Sequence, residues 1–244
     1  MQKSIKRIAL VVAIGTILSK FFGMARQLVI AGAFGIGSAF DAFNYAYIIP
    51  GFFLIIIGGI NGPFHNAMVA SLSNKNKKES TDIFTTINST ISSILFFISL
   101  FIFILADPII RIIGPGLSLE VHQIAVVQLQ IMSPIIFLSG LIGIGFGALN
   151  AKDEFLFPSI APMISSIAIV LSVSIYWIIQ EHSISIQNEN FSGAIVLASS
   201  TLLGAFLQYL FQIPLLIKKE VIKFRFNLNL NDSGFKEAWQ IIAP

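Results

Sequence analysis

Apolar residues run along the chain in six long blocks, and charged positions fall mostly in the short gaps between them. The blocks cover roughly residues 8–33, 40–72, 83–106, 124–150, 155–180 and 193–217. Each exceeds the roughly 20 residues that a helix needs to cross about 30 Å of hydrocarbon. Helices are expected, because a spanning segment must satisfy its own backbone hydrogen bonds in lipid. Membrane strands would be about 10 residues long with strict alternation, and a run such as ISSILFFISLFIFILA shows neither property. The pattern predicts an all-α, polytopic membrane protein with six transmembrane helices, residues 1–217 forming one unit. The stretch DPIIRIIGPGLSLEVH is too short and too charged to span. It reads as an amphipathic segment at one membrane surface. Residues 218–244 read as a basic, amphipathic segment at the other.

Composition sharpens this picture. Apolar residues make up 55% of the 244 and charged residues 11%, with 23 phenylalanines, and the mean hydropathy is +0.86. A soluble domain carries about twice that charge. There is no cysteine, so a disulfide framework and a thiolate metal site are excluded; no metal and no cofactor are expected. The basic balance does not call for nucleic acid, because the loop cations follow membrane topology. Lys3, Lys6, Arg7, Lys75, Lys77, Lys78, Lys152, Lys218, Lys219, Lys223, Arg225 and Lys236 fall on one side of a six-span layout, with Arg111 alone among the loop cations on the other. Positive loops stay inside, so both termini are expected in the cytoplasm and Glu181 and Glu189 outside. The opening MQKSIKRIALVVAIGTILS has the basic and apolar regions of a signal peptide. No A-x-A site follows, so a retained first helix is expected. The chain stops at WQIIAP, which reads as the opening of another apolar segment, as expected of a truncated or half-length protein.

Three features stand out as candidate chemistry. Small residues recur every fourth position at Gly15, Ser19 and Gly23, and again at Ser139, Gly143 and Gly147. Such stripes let helices approach closely, and plain packing accounts for them. The second block holds Pro50, Gly51, Gly58, Gly59, Gly62 and Pro63. Proline and glycine weaken a helix, and broken helices at membrane depth occur where they line a cavity. Asn61 and His65 would be polar lining there, although a hydrogen-bonded histidine near the cytoplasmic end explains His65 as well. GAFGIG and GIGFG are not nucleotide loops, since neither follows a strand and no G-x-x-x-x-G-K-[ST] occurs.

The third feature is charge inside the first block. Lys20 and Arg26 lie six residues apart, about 9 Å of rise and 120° around a helix. A cation at mid-membrane costs about 2.5–3.5 kcal/mol on insertion scales. Snorkelling of Arg26, or pairing of Asp41 with either cation, is one account. The other is a cationic cavity that attracts an anion, for which phosphate is the obvious group.

The stretch SKFFGMARQLVIAGAFGIGSAFDAFNYAYIIP resembles the first helix and following loop of the MurJ/MviN family of lipid II flippases. These belong to the multidrug/oligosaccharidyl-lipid/polysaccharide exporter superfamily. The family pattern is S-R-x-x-G-x-x-R, then F-G, D-A-F and I-P. This chain supplies Ser19, Lys20, Gly23, Arg26, Phe34, Gly35, Asp41, Ala42, Phe43, Ile49 and Pro50 at matching spacing. GALNAKDEFLFPSIAPMI is similar to the family stretch between the fourth and fifth helices. The resemblance implies one lobe of a two-lobe, MATE-like transporter in the bacterial inner (plasma) membrane. Such a transporter moves an undecaprenyl-pyrophosphate-linked peptidoglycan precursor outward by alternating access, without enzymatic chemistry. It implies Lys20, Arg26 and Asp41 as substrate-binding residues and a second transmembrane lobe as partner. One departure stands out: the family's arginine pair and glutamate–glycine after I-P are replaced by Leu54, Ile55 and Gly59. Two alternatives remain. One is a flippase for another lipid-linked oligosaccharide or a related antiporter. The other is a non-transporting half that assists cell-wall assembly.

Overall fold

A computed structural model describes residues 5–73, 75–181, 189–222, 227 and 236. All regular structure among them is helical: α1 (Ile5–Phe34), α2 (Ser38–Ala46), α3 (Ile48–Ile56), α4 (Pro63–Leu72), α5 (Lys77–Ile104), α6 (Ala106–Ile113), α7 (Leu119–Met132), α8 (Pro134–Ala151), α9 (Leu156–Glu181) and α10 (Glu189–Lys218). Five helical stretches are long and apolar enough to cross a membrane, α7 and α8 together forming one of them. The bent pair α2 and α3 makes a sixth.

Local chemistry places the boundaries. Helix α5 starts six residues before the expected 83 because Asn76 and Glu79 form a reciprocal capping box, which satisfies two donors that a helix start leaves open. Pro134 divides α7 from α8. Pro has no N–H for the carbonyl four residues back, and that carbonyl, of Gln130, takes the Ser133 hydroxyl at 3.0 Å instead. The expected single second span is in fact three pieces. The first bend, 48° between α2 and α3, falls beside Pro50 and Gly51, two of the helix-weakening residues of that block. Pro50 cannot bond to the Ala46 carbonyl, and the Tyr47 ring lies so close over Gly51 that a Cβ there would sit 2.7 Å from it. The second interruption, residues 57–62, falls where the glycines predicted it. Asn61 adopts φ +69°, and Pro63 opens α4 at a position where its missing N–H costs nothing.

Helix α8 is the hub. Its residues Ile135, Ile142, Ile144, Phe146 and Leu149 are buried, as an all-round apolar helix should be. It packs against α3, α4, α5 and α10. The stripe Ser139, Gly143 and Gly147 is the seam that receives the broken span. A Cβ on Gly143 would collide with the Ile57 carbonyl, and one on Gly147 would lie 2.5 Å from the His65 carbonyl. Two buried amides tie the remaining helices. Gln128 of α7 donates to the Ala39 and Ala194 carbonyls at 3.2 and 3.1 Å. Gln212 of α10 donates to the Leu141 carbonyl at 3.1 Å.

The outer surface is apolar. Phe97, Phe101 and Ile104 of α5 and Ile175, Ile178 and Ile179 of α9 are exposed, the inverse of a soluble fold and the expected face toward lipid. The cations collect at one end. Lys77 pairs with Glu220 at 2.5 Å, and Lys219 lies 3.7 Å from Glu154. Lys152 donates to Ser80 Oγ at 2.8 Å and to the Leu72 and Lys75 carbonyls. Burial of Lys152 lowers its pKa, since a low-dielectric site disfavours the charged form. At the opposite end α6 forms the expected amphipathic segment, with Ile112 exposed. Arg111 and His122 both bond to Asp107, and these bonds hold that carboxyl down to about 2. Of the expected segment 218–244, residues 223–226, 228–235 and 237–244 lie outside the described residues, Trp239 and Pro244 among them.

The glycine seam yields a test. Gly143→Ala must push backbone apart at the break and should lower stability by about 1–3 kcal/mol. Gly23→Ala meets open space and should be neutral or stabilising by up to about 1 kcal/mol. Thermal unfolding in detergent reads both; equal behaviour of the two variants would overturn the seam.

Candidate functional site

Helix α1 is attached along one face only. It runs parallel to α9, touching it near both ends. Ser19 Oγ donates to the Ser159 carbonyl at 2.8 Å, and Gly15 abuts Ser159 and Ile160. Toward the far end Phe34 stacks on Tyr176 at 6.1 Å between ring centroids, and Gly32 faces Trp177. Between these contacts lies Gly23, with no atom within 4 Å of where its Cβ would be. The first small-residue stripe is therefore packing at Gly15 and Ser19 and open space at Gly23.

Arg26 and Lys20 take different places around that opening. Arg26 lies seven residues beyond Ser19, about two turns, and so on the same face of α1. It is half-buried, within electrostatic reach of the Tyr47 phenol at the α2–α3 bend. Lys20, a third of a turn away, is exposed at the middle of α1. Asp41 is exposed in the first turn of α2, where a carboxylate suits the helix dipole. Among the described residues no ion pair joins Asp41 to either cation. The structure thus places Arg26, half-buried, one turn from the open space beside Gly23 and within electrostatic reach of Tyr47 at the α2–α3 bend. It brings neither Lys20 nor Asp41 into contact with it.

The other expected residues gather at the lysine-rich end. Gly58, Gly59 and Gly62 let the chain turn back on itself, since a Cβ at any of them would strike the carbonyl of Leu54, Ile55 or Ile56. His65 is buried, 5% exposed, and lines a cavity of about 600 Å³ together with Asn61, Asn66, Asn150 and Asp153. Asn150 Nδ2 lies 2.7 Å from His65 Nε2. His65 Nδ1 lies 3.2 Å from Asn66 Oδ1. Asn66 Nδ2 donates to the Asn61 carbonyl at 3.0 Å. His65 is both hydrogen-bonded and cavity-lining, so the two readings offered for it are not exclusive. Sequence reasoning missed Asn66, Asn150 and Asp153. The adjacent H-N pair and the L-N-A motif were the only signals available. No group of three or more His, Cys, Asp or Glu residues that could hold a metal occurs among the described residues.

A sequence model of the family described as lipid II flippase MurJ matches residues 30–244. The chain is also 42% identical, over all 244 residues, to a probable lipid II flippase MurJ of Synechocystis. The chain belongs to the MurJ family. A lipid II flippase MurJ of Thermosipho africanus is 28% identical over 159 residues, 65% of this chain and 33% of that relative. A solved structure of a lipid II flippase MurJ in an inward closed conformation superposes with a TM-score of 0.75 at 24% identity. The match covers 96% of this chain and 47% of that one, which supports the all-α fold. The Synechocystis relative is covered to 46%, so the chain spans about half the length of the MurJ proteins it matches. The matched part of the family model begins at Ile30, beyond Lys20 and Arg26. The Synechocystis alignment includes both. Family and helices together make this a multi-pass membrane protein.

The water access of Arg26 is testable because the chain has no native cysteine. A cysteine replacing Arg26 or Lys20 should react with a charged, water-soluble maleimide, whereas Ile30→Cys, at 3% exposure, should stay protected. A lipid-facing Arg26 would leave Arg26→Cys as unreactive as Ile30→Cys.

Proposed function

We propose that this chain forms the first lobe of a lipid II flippase, with a second transmembrane lobe completing it. The cargo is an undecaprenyl-pyrophosphate-linked peptidoglycan precursor, carried from the inner to the outer leaflet of the bacterial plasma membrane. Arg26 is the observation that carries this reading: a half-buried cation within an apolar spanning helix, without a carboxylate partner among the described residues, one turn from the open space at Gly23. A buried charge needs a counter-charge or water, and a pyrophosphate supplies the charge. Lys20, exposed at mid-helix, meets the same headgroup from the wider side of the opening. Asp41 belongs to the rim. The protein binds and releases without making or breaking covalent bonds, so it is a transporter and not an enzyme. The interruption at residues 57–62 supplies the flexible element on which one lobe rocks against the other. A membrane potential biases any step that moves net charge, by about 2.3 kcal/mol per charge per 100 mV.

Ile55, where the family has arginine, is 69% exposed and apolar. This favours a second reading in which the lipid-linked headgroup differs from that of other family members. Lipids with different headgroups, compared in one binding assay, separate the two.

The cation bias and the lysine-rich end support cytoplasmic termini. Reporter fusions at Asn76 should give a cytoplasmic signal and fusions at Asn188 a periplasmic one; cytoplasmic signals at both would sink this topology.

Complementation of a flippase-depleted bacterium tests the site. In a two-lobe protein carrying this chain, Arg26→Ala and Lys20→Ala should abolish rescue while membrane levels stay near normal. Removing a charge eases insertion, by about 2.5–3.5 kcal/mol on insertion scales. Lys20→Arg keeps the charge and should be tolerated. Full rescue by both alanine variants would show that the cations are not the working site.

A further inference from the structure

The chain of hydrogen bonds around His65 has a fixed direction. It ends on the backbone carbonyl of Asn61, which only accepts. Asn66 must therefore present its NH₂ to that carbonyl at 3.0 Å and its Oδ1 to His65 Nδ1 at 3.2 Å. Nδ1 is then the protonated ring nitrogen, and Nε2 accepts from Asn150 Nδ2 at 2.7 Å. The neutral Nδ1–H tautomer is imposed by a carbonyl two hydrogen bonds away, that of Asn61 in the break of the second span.

That arrangement leaves one atom without a partner among the described residues: Asn150 Oδ1, which is buried. A half-turn of the Asn150 amide exchanges Oδ1 and Nδ2. It would set an acceptor against Nε2, the position a protonated ring needs. Asn66 Oδ1 already accepts from Nδ1–H. An imidazolium at His65 would thus be bracketed by two amide oxygens, each taking one N–H. The other charged groups near α4 do not compete for it. Lys152 turns to Ser80 and to the Leu72 and Lys75 carbonyls. From α5, Lys77 pairs with Glu220, Lys78 lines a separate cavity with it, Glu79 caps Asn76, and Asp82 is exposed. Lys75 lies in the connection between α4 and α5. Asp153, beyond the end of α8, shares the cavity of about 600 Å³ with His65 and adds a negative charge on the side from which a proton would arrive.

We propose that His65 is a proton-binding site of the transport cycle, switched by rotation of the Asn150 amide between two states in each of which both ring nitrogens are hydrogen-bonded. The ligand is a single proton, taken up at Nε2 from the cavity at the lysine-rich end. The His65 chain ends at the interruption of the second span, so proton occupancy is read by the element proposed to flex. This inference rests on the transporter reading, but its first test does not.

The test is a histidine-labelled ¹⁵N NMR titration of the 244-residue chain in lipid nanodiscs. His122→Gln and His182→Gln assign the remaining signal to His65. At high pH the His65 signals should be those of the Nδ1–H tautomer, and a reversible single-proton step should follow on acidification. Asn150→Asp should raise the midpoint by about one unit, a tenfold gain in proton affinity, and Asn150→Leu should lower it. Asn66→Asp gives an independent upward shift if an Asn150 variant does not fold. An Nε2–H tautomer, or a midpoint that ignores these variants, would overturn the site. In a two-lobe protein, His65→Gln should flatten the pH profile of lipid transport. An unchanged profile alongside a normal titration would reject the coupling while leaving the proton site standing. Failure of the flippase reading itself would appear instead as full rescue by the Lys20 and Arg26 variants.

Discussion

A backbone polar group in hydrocarbon must find a partner within the protein, and the architecture depends on how this chain meets that demand at one place. Residues 57–62 leave the helix in the second span. Such a stretch survives at membrane depth only where protein covers it or where it lines a wet cavity. One side is covered by α8, whose Gly143 and Gly147 leave just enough room for the Ile57 and His65 carbonyls to lie against its backbone, while exposed Asn61 lines the cavity on the other. Ser139 continues the same seam, its own carbonyl close to Gly58. Around that contact α8 becomes the buried centre, and α3, α4, α5 and α10 assemble on it.

The first helix obeys a different logic. It is the least enclosed of the spanning helices, held to α9 by Ser19 and Gly15 at one end and by Phe34 at the other. It is also the helix with cations at membrane depth. Tight enclosure would have desolvated Arg26 at a cost of several kcal/mol without a paired anion. An open glycine one turn away, and a tyrosine as its polar neighbour, let the charge stay near that open space. One-sided attachment and internal charge thus go together, as the proposed binding role of this helix requires.

Polar groups elsewhere are spent on fastening helices. Gln128 and Gln212 each bridge from one helix to a carbonyl on another, and Lys152 gathers carbonyls from the end of α4. Lys152 counted, by topology, as one of many loop cations. Its half-buried position shows that a charge at the membrane surface also serves as a staple where helix ends leave carbonyls unpaired.

The spanning blocks, the all-α class, the amphipathic α6 and the second-span interruption were legible in the sequence, because each follows from local physics: apolar length, helix-breaking residues and charge. The start of α5 at Lys77 was missed by six residues, although the N-x-x-E spacing of Asn76 and Glu79 carries its capping box. The tertiary structure decided the rest. Pro50 announces a weak point, but only the Tyr47 ring packed over Gly51 accompanies it with a 48° bend. Two glycine stripes of identical spacing have different fates: Gly143 and Gly147 receive a broken helix, while Gly23 faces open space. Lys20 and Arg26 share a motif, yet helix geometry and α9 give one an exposed position and the other a half-buried one. Asn150 and His65, 85 residues apart, meet at 2.7 Å because α4 folds back against α8, a contact that pairs residues too distant along the chain for any local pattern to encode.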